Sequence, residues 1–469
     1  MSKMKIQKTN SGKNANRSIL LLATMSSHFL NPFMGSAVNI ALKQIGTDFS
    51  MSAVGLSWVT MSYLLSGAVF LVPFGKIGDM IGRRKIFLFG TLLFAITTLL
   101  CGFSTDASSL IIFRLLQGIS SAMMISTNMA LIISAFPPEE RGKVIGLNVT
   151  SVYVGSSVAP VIGGLLTDSM GWRSIFYING IAALCIAWLI IWKIQKEMPN
   201  PIKERFDFKG SLIYMLSISA LMYGFSKLPS PHAIALTIAG VLGLLLFMRS
   251  QLKTETPMLN MRLFSQNRVF ALSNLSALIN YAATFAISFM LSLYLQYAKG
   301  MEAREAGMIL IAQPTLMAIV ASFSGRLSDK MNPRILAALG MGISTIGLFI
   351  LSFISQETSI GYIIFGLIVL GFGFGLFSSP NTNVVMSSVD KKIYGTASAI
   401  LATMRSTGMM FSMAIAALSM HLFLGNAKIN IQNVPDFISS TKVVFVIFTL
   451  LCFVGVFLSL IKKKTTVHP

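Results

Sequence analysis

Charge is what this chain has least of. Charged residues make up 11% of its 469 residues, against about 25% in an ordinary soluble domain, so a solvated globular fold is excluded. Acids are the scarcer kind, with 16 Asp and Glu against 37 Lys and Arg. Cysteine is nearly absent. Cys101, Cys185 and Cys452 each lie inside an apolar run, far apart in sequence, which argues against a disulfide framework or a cysteine metal site and leaves three small hydrophobes. No long polar stretch is present to form a soluble signalling domain.

What is present is apolar surface, 54% of residues with a mean hydropathy of +0.73. A helix needs about 20 apolar residues to cross a bilayer. On that ruler the sequence predicts fourteen spans: 18–42, 54–76, 86–104, 108–134, 143–166, 174–194, 209–227, 232–250, 270–296, 305–326, 335–354, 360–382, 394–422 and 442–461. The basic stretch 1–17 precedes a full-length first span with no small-residue cleavage site, so that span is read as retained. The net charge of +21 would suit nucleic acid if it were clustered. Instead most of the Lys and Arg fall in one alternating set of loops and termini, the pattern that orients membrane proteins. Nucleic-acid binding is therefore not expected, and both termini, 1–17 and 462–469, are expected in the cytoplasm.

Spans 7 and 8 stand apart, flanked by the charged, proline-bearing stretches Lys193–Lys209 and Arg249–Arg268. Without them six spans remain on each side. The expected organisation is an N-terminal six-helix bundle (18–200), an inserted two-helix hairpin (201–255) and a C-terminal six-helix bundle (256–461). The halves echo one another. Ile125-Ser-Thr-Asn-Met129 and Ser379-Pro-Asn-Thr-Asn383 occupy the fourth span of each, followed by a charged loop and then Gly142 or Gly395.

The clearest echo is Gly75-Lys-Ile-Gly-Asp-Met-Ile-Gly-Arg-Arg-Lys85 and its degenerate copy Gly325-Arg-Leu-Ser-Asp-Lys-Met-Asn-Pro-Arg334. Short basic loops recurring in two hydrophobic halves point to a repeat-built transporter. The loop resembles the Gly-x-x-x-Asp-x-x-Gly-Arg-Arg/Lys signature of the major facilitator superfamily, through Gly75, Asp79, Gly82, Arg83 and Arg84, then Gly325, Asp329 and Arg334. Arg114-Leu-Leu-Gln117-Gly118 in span 4 resembles the family's Arg-x-x-Gln-Gly motif. Gly155-Ser-Ser-Val-Ala-Pro160-Val-Ile-Gly163-Gly164 in span 5 resembles its antiporter motif, and Trp172–Asn179 follows as in the fourteen-helix drug:proton exporters. The resemblance implies an all-α membrane protein that works by alternating access without enzymatic chemistry or cofactor. It places Asp79 with Arg83 against the start of span 13, near Tyr394–Ala397, as a cytoplasmic gate, and it turns Arg114 toward a central cavity.

An arginine inside a span costs about 2.5–3.5 kcal/mol on insertion scales, so Arg114, and Arg405 in span 13, are candidates for function, with snorkelling of Arg114 to the outer interface as the alternative. Asn39, Gln117, Gly118 and Gln313 complete the coupling and cavity candidates, with Gln313, Asn274 and Asn280 either polar wall groups or helix-to-helix contacts. The sequence departs from the exporters at one place. Their span 1 carries an acid before Thr-x-Val-Asn-x-Ala-Leu-Pro, where this chain has Met34 before Ser36-Ala-Val-Asn39-Ile-Ala-Leu-Lys43. None of the 16 acids lies near the middle of a span. His28, near the centre of span 1, titrates near neutral pH when unperturbed; it is either a proton exchanger or a neutral, hydrogen-bonded histidine. Three readings follow: proton-linked efflux of amphipathic drugs, export of an organic anion or metabolite with weak or no coupling, and a membrane sensor that has lost transport. The expected partners are a small-molecule substrate, protons and the lipid of a cell membrane, with the protein a monomer.

Overall fold

The computed structural model describes residues 2–193, 206–255, 257–259, 261–390 and 393–460. The expected C-terminal tail 462–469 and most of the loop after Lys193 lie outside the described residues. Among those described there is no strand. The first bundle contains α1 (Ser2–Asp48), α2 (Ala53–Ile81), α3 (Arg83–Gly102), α4 (Ala107–Ala135), α5 (Pro138–Met170) and α6 (Arg173–Lys193). The hairpin is α7 (Phe208–Ser226) and α8 (Pro231–Lys253). The remainder is α9 (Arg262–Gln266), α10 (Arg268–Thr284), α11 (Ile287–Leu293), α12 (Ala303–Leu310), α13 (Ala312–Ser328), α14 (Pro333–Leu351), α15 (Ile360–Ser387), α16 (Tyr394–Leu424) and α17 (Val434–Leu460).

Among the described residues, 13 helices are long and apolar enough to cross a membrane. The remaining expected span lies in α1, where His28, Asn31, Pro32 and Asn39 dilute the apolar run. The basic stretch 2–17, expected as a separate tail, is continuous with α1. Two other spans are broken. In the ninth, α10 gives way to α11 and then to a π-helical turn, Tyr294–Ala298; the Ala286 N–H donates to Ser412 Oγ at 2.9 Å. In the tenth, α12 stops at Leu310, whose carbonyl is the one that Pro314 has no N–H to bond.

Loop chemistry sets the helix ends. Ser52, Asn267 and Ser359 each accept a hydrogen bond from the first turn of the helix they precede. Asp106 caps α4, and the Ser109 N–H bonded to it holds the Asp106 carboxyl below the usual carboxylate range. Between α2 and α3 the chain turns on the single residue Gly82, at φ +111°, a conformation that side chains rarely tolerate.

Helices α1–α6 pack on one another, as do α10–α17, and α8 packs on α7. The hairpin lies along the seam between the bundles, because α7 contacts both α2 and α16. Trp58 and Tyr223 rings stand 5.7 Å apart there, and Phe225 and Phe411 rings 6.5 Å. Gln251 Nε2 donates to Asp207 Oδ2 at 2.6 Å and ties the two hairpin ends together.

Close packing without a hydrophobic drive between helices relies on small residues. At Gly118 any Cβ would run into Ser66 and the Tyr63 carbonyl of α2. Gly142, by contrast, has nothing within 4 Å. Overpacking costs about 1–3 kcal/mol, so Gly118→Val should lower the melting midpoint of the detergent-solubilised protein by several degrees. Gly142→Ala should leave it unchanged.

Candidate functional site

Arg114 is fully buried inside the first bundle. Its Nε donates to the Val59 carbonyl at 3.0 Å and Nη1 to Gln117 Oε1 at 2.5 Å, while the guanidinium lies 4.3 Å from the centre of the Tyr63 ring. Gln117 passes the chain on, donating from Nε2 to Thr98 Oγ1 at 2.6 Å. The Tyr63 hydroxyl donates to Asn31 Oδ1 at 2.9 Å, and Asn128 Nδ2 donates to the Thr24 carbonyl and to Ser27. The expectation that Arg114 faces a central cavity is therefore corrected. The side chain bridges α4 to α2, held by the Val59 carbonyl of α2 and by the Gln117 amide of its own helix, with Nη2 left without a hydrogen-bond partner.

A second polar cluster straddles the seam. Arg405 is half-buried on α16, its Nη2 donating to Thr382 Oγ1 of α15 at 2.6 Å and its guanidinium 5.6 Å from the Tyr281 ring centre. From the other bundle, Tyr153 of α5 faces Ser378, Tyr281 and Arg405. Gly408, one turn beyond Arg405, lets α16 meet the α10 backbone at Leu278. Tyr153, Tyr281 and Ser378 were not singled out in the sequence. Their signal was slight: Ser378 directly precedes the repeated fourth-span motif, and Thr382 lies within it. Gln313 is nearly buried, with its backbone against Gly371 and its side-chain carbonyl without a hydrogen-bond partner. His28 is partly buried with Nδ1 unpartnered. Asn280 donates to Met341 Sδ and so ties α10 to α14, while Asn274 donates to the Phe270 carbonyl of its own helix.

The signature loop forms one face, here termed the basic face. Arg83 Nε pairs with Asp79 Oδ1 at 2.7 Å, and Arg83 Nη1 donates to the Ala130 carbonyl at 3.3 Å. Arg84 Nη2 donates to the Ile190 carbonyl at 3.3 Å. Gly75 approaches Ser126, and its counterpart Gly325 approaches Ser379. Asp329 ends α13. The Asp79 ion pair thus stays within its own bundle, and the expected contact with Tyr394–Ala397 is not made. The reason is separation: Tyr394, Gly395 and Thr396 are exposed, and Gly142, Gly146 and Gly395 have nothing within 4 Å.

On the opposite face the bundles meet. Ser292 Oγ donates to the Asn39 carbonyl at 2.8 Å, Gln296 Nε2 to the Ile40 carbonyl at 2.9 Å, and Lys43 Nζ to the Gln296 carbonyl at 2.9 Å. Lys43, which stands where the exporter motif has proline, is part of this closure. The antiporter motif serves two interfaces. Gly155 and Gly163 fit α5 against Phe29 and Ala37 of α1, while Gly164 fits against Ala303 and Arg304, and the Pro160 carbonyl abuts Gly307. Among the described residues no group of three or more His, Cys, Asp or Glu could hold a metal.

The major facilitator superfamily model matches residues 24–413 and 273–469. The chain belongs to the major facilitator superfamily. It is a multi-pass membrane transporter, not an enzyme. It is 28% identical over 451 residues to the riboflavin transporter RibZ of Clostridioides difficile, covering 96% of this chain and 98% of that one. It is 29% identical over 408 residues to the multidrug resistance protein Stp of Mycobacterium tuberculosis, covering 86% and 75%. A solved bacterial homologue of the human lysosomal transporter Spinster, inward-facing and unoccupied, superposes with a TM-score of 0.69 at 17% identity, covering 95% and 96%.

The two arginines now separate by experiment. Lysine cannot reproduce the fork that Arg114 makes, and each buried acceptor left unpaired costs on the order of 1–3 kcal/mol. Arg114→Lys should lower the melting midpoint by several degrees. Arg405→Lys, with one side-chain partner and partial exposure, should change it by less than half as much.

Proposed function

We propose that this transporter exports small amphipathic molecules by alternating access, in exchange for protons, from a site on the bundle seam at Tyr153, Tyr281, Ser378, Thr382 and Arg405. The observation that carries the reading is that this cluster joins both bundles and contains a cation and no carboxylate. Coulomb attraction in a low-dielectric site then favours neutral or anionic substrates over the cations typical of many exporters. The names of relatives such as Stp support efflux of drugs.

The basic face, with its Lys and Arg, belongs in the cytoplasm of a cell membrane, together with both termini. In that orientation the structure is inward-open, and the protein works as a monomer. The Asp79 loop acts when the cytoplasmic ends close, bringing its charge to the start of α16, where the positive end of the helix dipole favours an anion. His28 is the proton exchanger nearest the centre of the first bundle.

A second reading is export of a metabolite with weak or no proton coupling. It is favoured by the match to RibZ over nearly the whole of both chains, since a flavin is a neutral, hydrogen-bonding heteroaromatic that suits two tyrosines, two hydroxyls and a guanidinium.

Ligand binding tests the site directly. A ligand at about 100 times its Kd stabilises the folded state by about 2.7 kcal/mol. An anionic amphipathic dye should raise the melting midpoint of the wild-type protein and leave that of Arg405→Ala unmoved. An equal rise in both proteins would remove Arg405 from the site.

A further inference from the structure

Alternating access needs two gates, and the sequence motifs supply a candidate only for the basic face. On the opposite face, one acid reaches across the seam. Asp168 lies in the last turn of α5, and its Oδ2 accepts a hydrogen bond from the Arg304 N–H at 2.7 Å. Arg304 is in the first turn of α12, where backbone N–H groups have no partner within the helix. Glu305 accepts from the Glu302 N–H at 3.1 Å, which leaves the Arg304 N–H for the other bundle. Asp168 therefore caps a helix of the opposite bundle, with its negative charge at the positive end of the dipole.

The surrounding residues are arranged for this contact. Gly164, one helical turn before Asp168 on the same face of α5, sits so close to α12 that a Cβ would stand 2.5 Å from the Ala303 carbonyl and 2.8 Å from Arg304 Cα. Gly307 answers it one turn into α12, against the Pro160 carbonyl. Other acids of this face are engaged within their own bundle: Asp48 with Trp172 and Arg173, and Asp106 with Ser109.

We propose that Asp168 is the latch of this second gate, a positioning residue that holds the inward-open state by capping α12 across the seam. The proposal rests on the alternating-access reading. Asp168 would then mirror Asp79: each acid lies at the end of a first-bundle helix, on opposite faces, and each is paired in one state with the N-terminus of a second-bundle helix.

The test uses the full chain in lipid nanodiscs with its three cysteines replaced, spin-labelled in pairs and read as distance distributions. One pair, at Met170 and Ile431, spans the opposite face; the other, at Leu147 and Met331, spans the basic face. Loss of a helix cap shifts an equilibrium by about fivefold. Asp168→Ala should raise the open population at the 170/431 pair about fivefold and lower it at 147/331. Asp168→Asn, which keeps an acceptor oxygen and loses the charge, should fall between Asp168→Ala and wild type. Asp79→Asn should move both pairs the other way. Gly164→Leu, a wedge in the same contact, is the independent control and should open 170/431. If Asp168→Ala stays within twofold of wild type while Gly164→Leu opens the face, the latch is wrong and alternating access stands. If no variant moves either pair, alternating access itself is overturned, and the latch with it.

Discussion

Inside a bilayer no water is available to a polar group, so each N–H, carbonyl and charge must be satisfied by protein. Most of the architecture follows from that constraint. It explains why Arg114 lies along Val59 and Gln117, why Ser412 supplies a partner where α10 breaks, and why glycine marks many of the close helix contacts. The constraint is not met everywhere: Arg405 Nε and Gln313 Oε1 are buried without a partner, and so are Arg114 Nη2 and Asn128 Oδ1 within the first bundle.

The faces of the molecule differ in how the constraint is met. On the opposite face the two bundles satisfy one another, through Ser292, Gln296, Lys43 and Asp168, and the helices touch at backbone distance. On the basic face each bundle satisfies itself: Arg83 turns to Asp79 and Ala130, and Arg84 to Ile190. A transporter that exchanges these two arrangements needs polar groups able to take either partner. Short acids beside helix N-termini meet that need, because the dipole is always present and only the approach of the helix changes.

The spans, their pairing into halves and the hairpin were legible because lipid imposes a length and a composition on each segment and a repeat imposes its echo. The glycines of the signature loop and of span 5 stood out for the same reason, since their spacing is local. Arg114 was misread because the cost of an intramembrane arginine is the same whether a cavity or a neighbouring carbonyl relieves it. Nothing within α4 states that Val59 is the neighbour. Lys43 looked only like a missing proline, and Tyr153 only like one more aromatic in an apolar run. Their roles depend on which helix of the other bundle stands opposite, and a single helix carries no record of that.

The central claim is that a transport cluster with a cation and no carboxylate sets the substrate charge. Everted membrane vesicles, energised to an acid interior, test it most directly when offered an anionic and a cationic amphipathic dye with and without a protonophore. The account predicts protonophore-sensitive uptake of the anionic dye in preference to the cationic one. Protonophore-sensitive uptake of the cation alone would contradict it and require a carboxylate at the transport site.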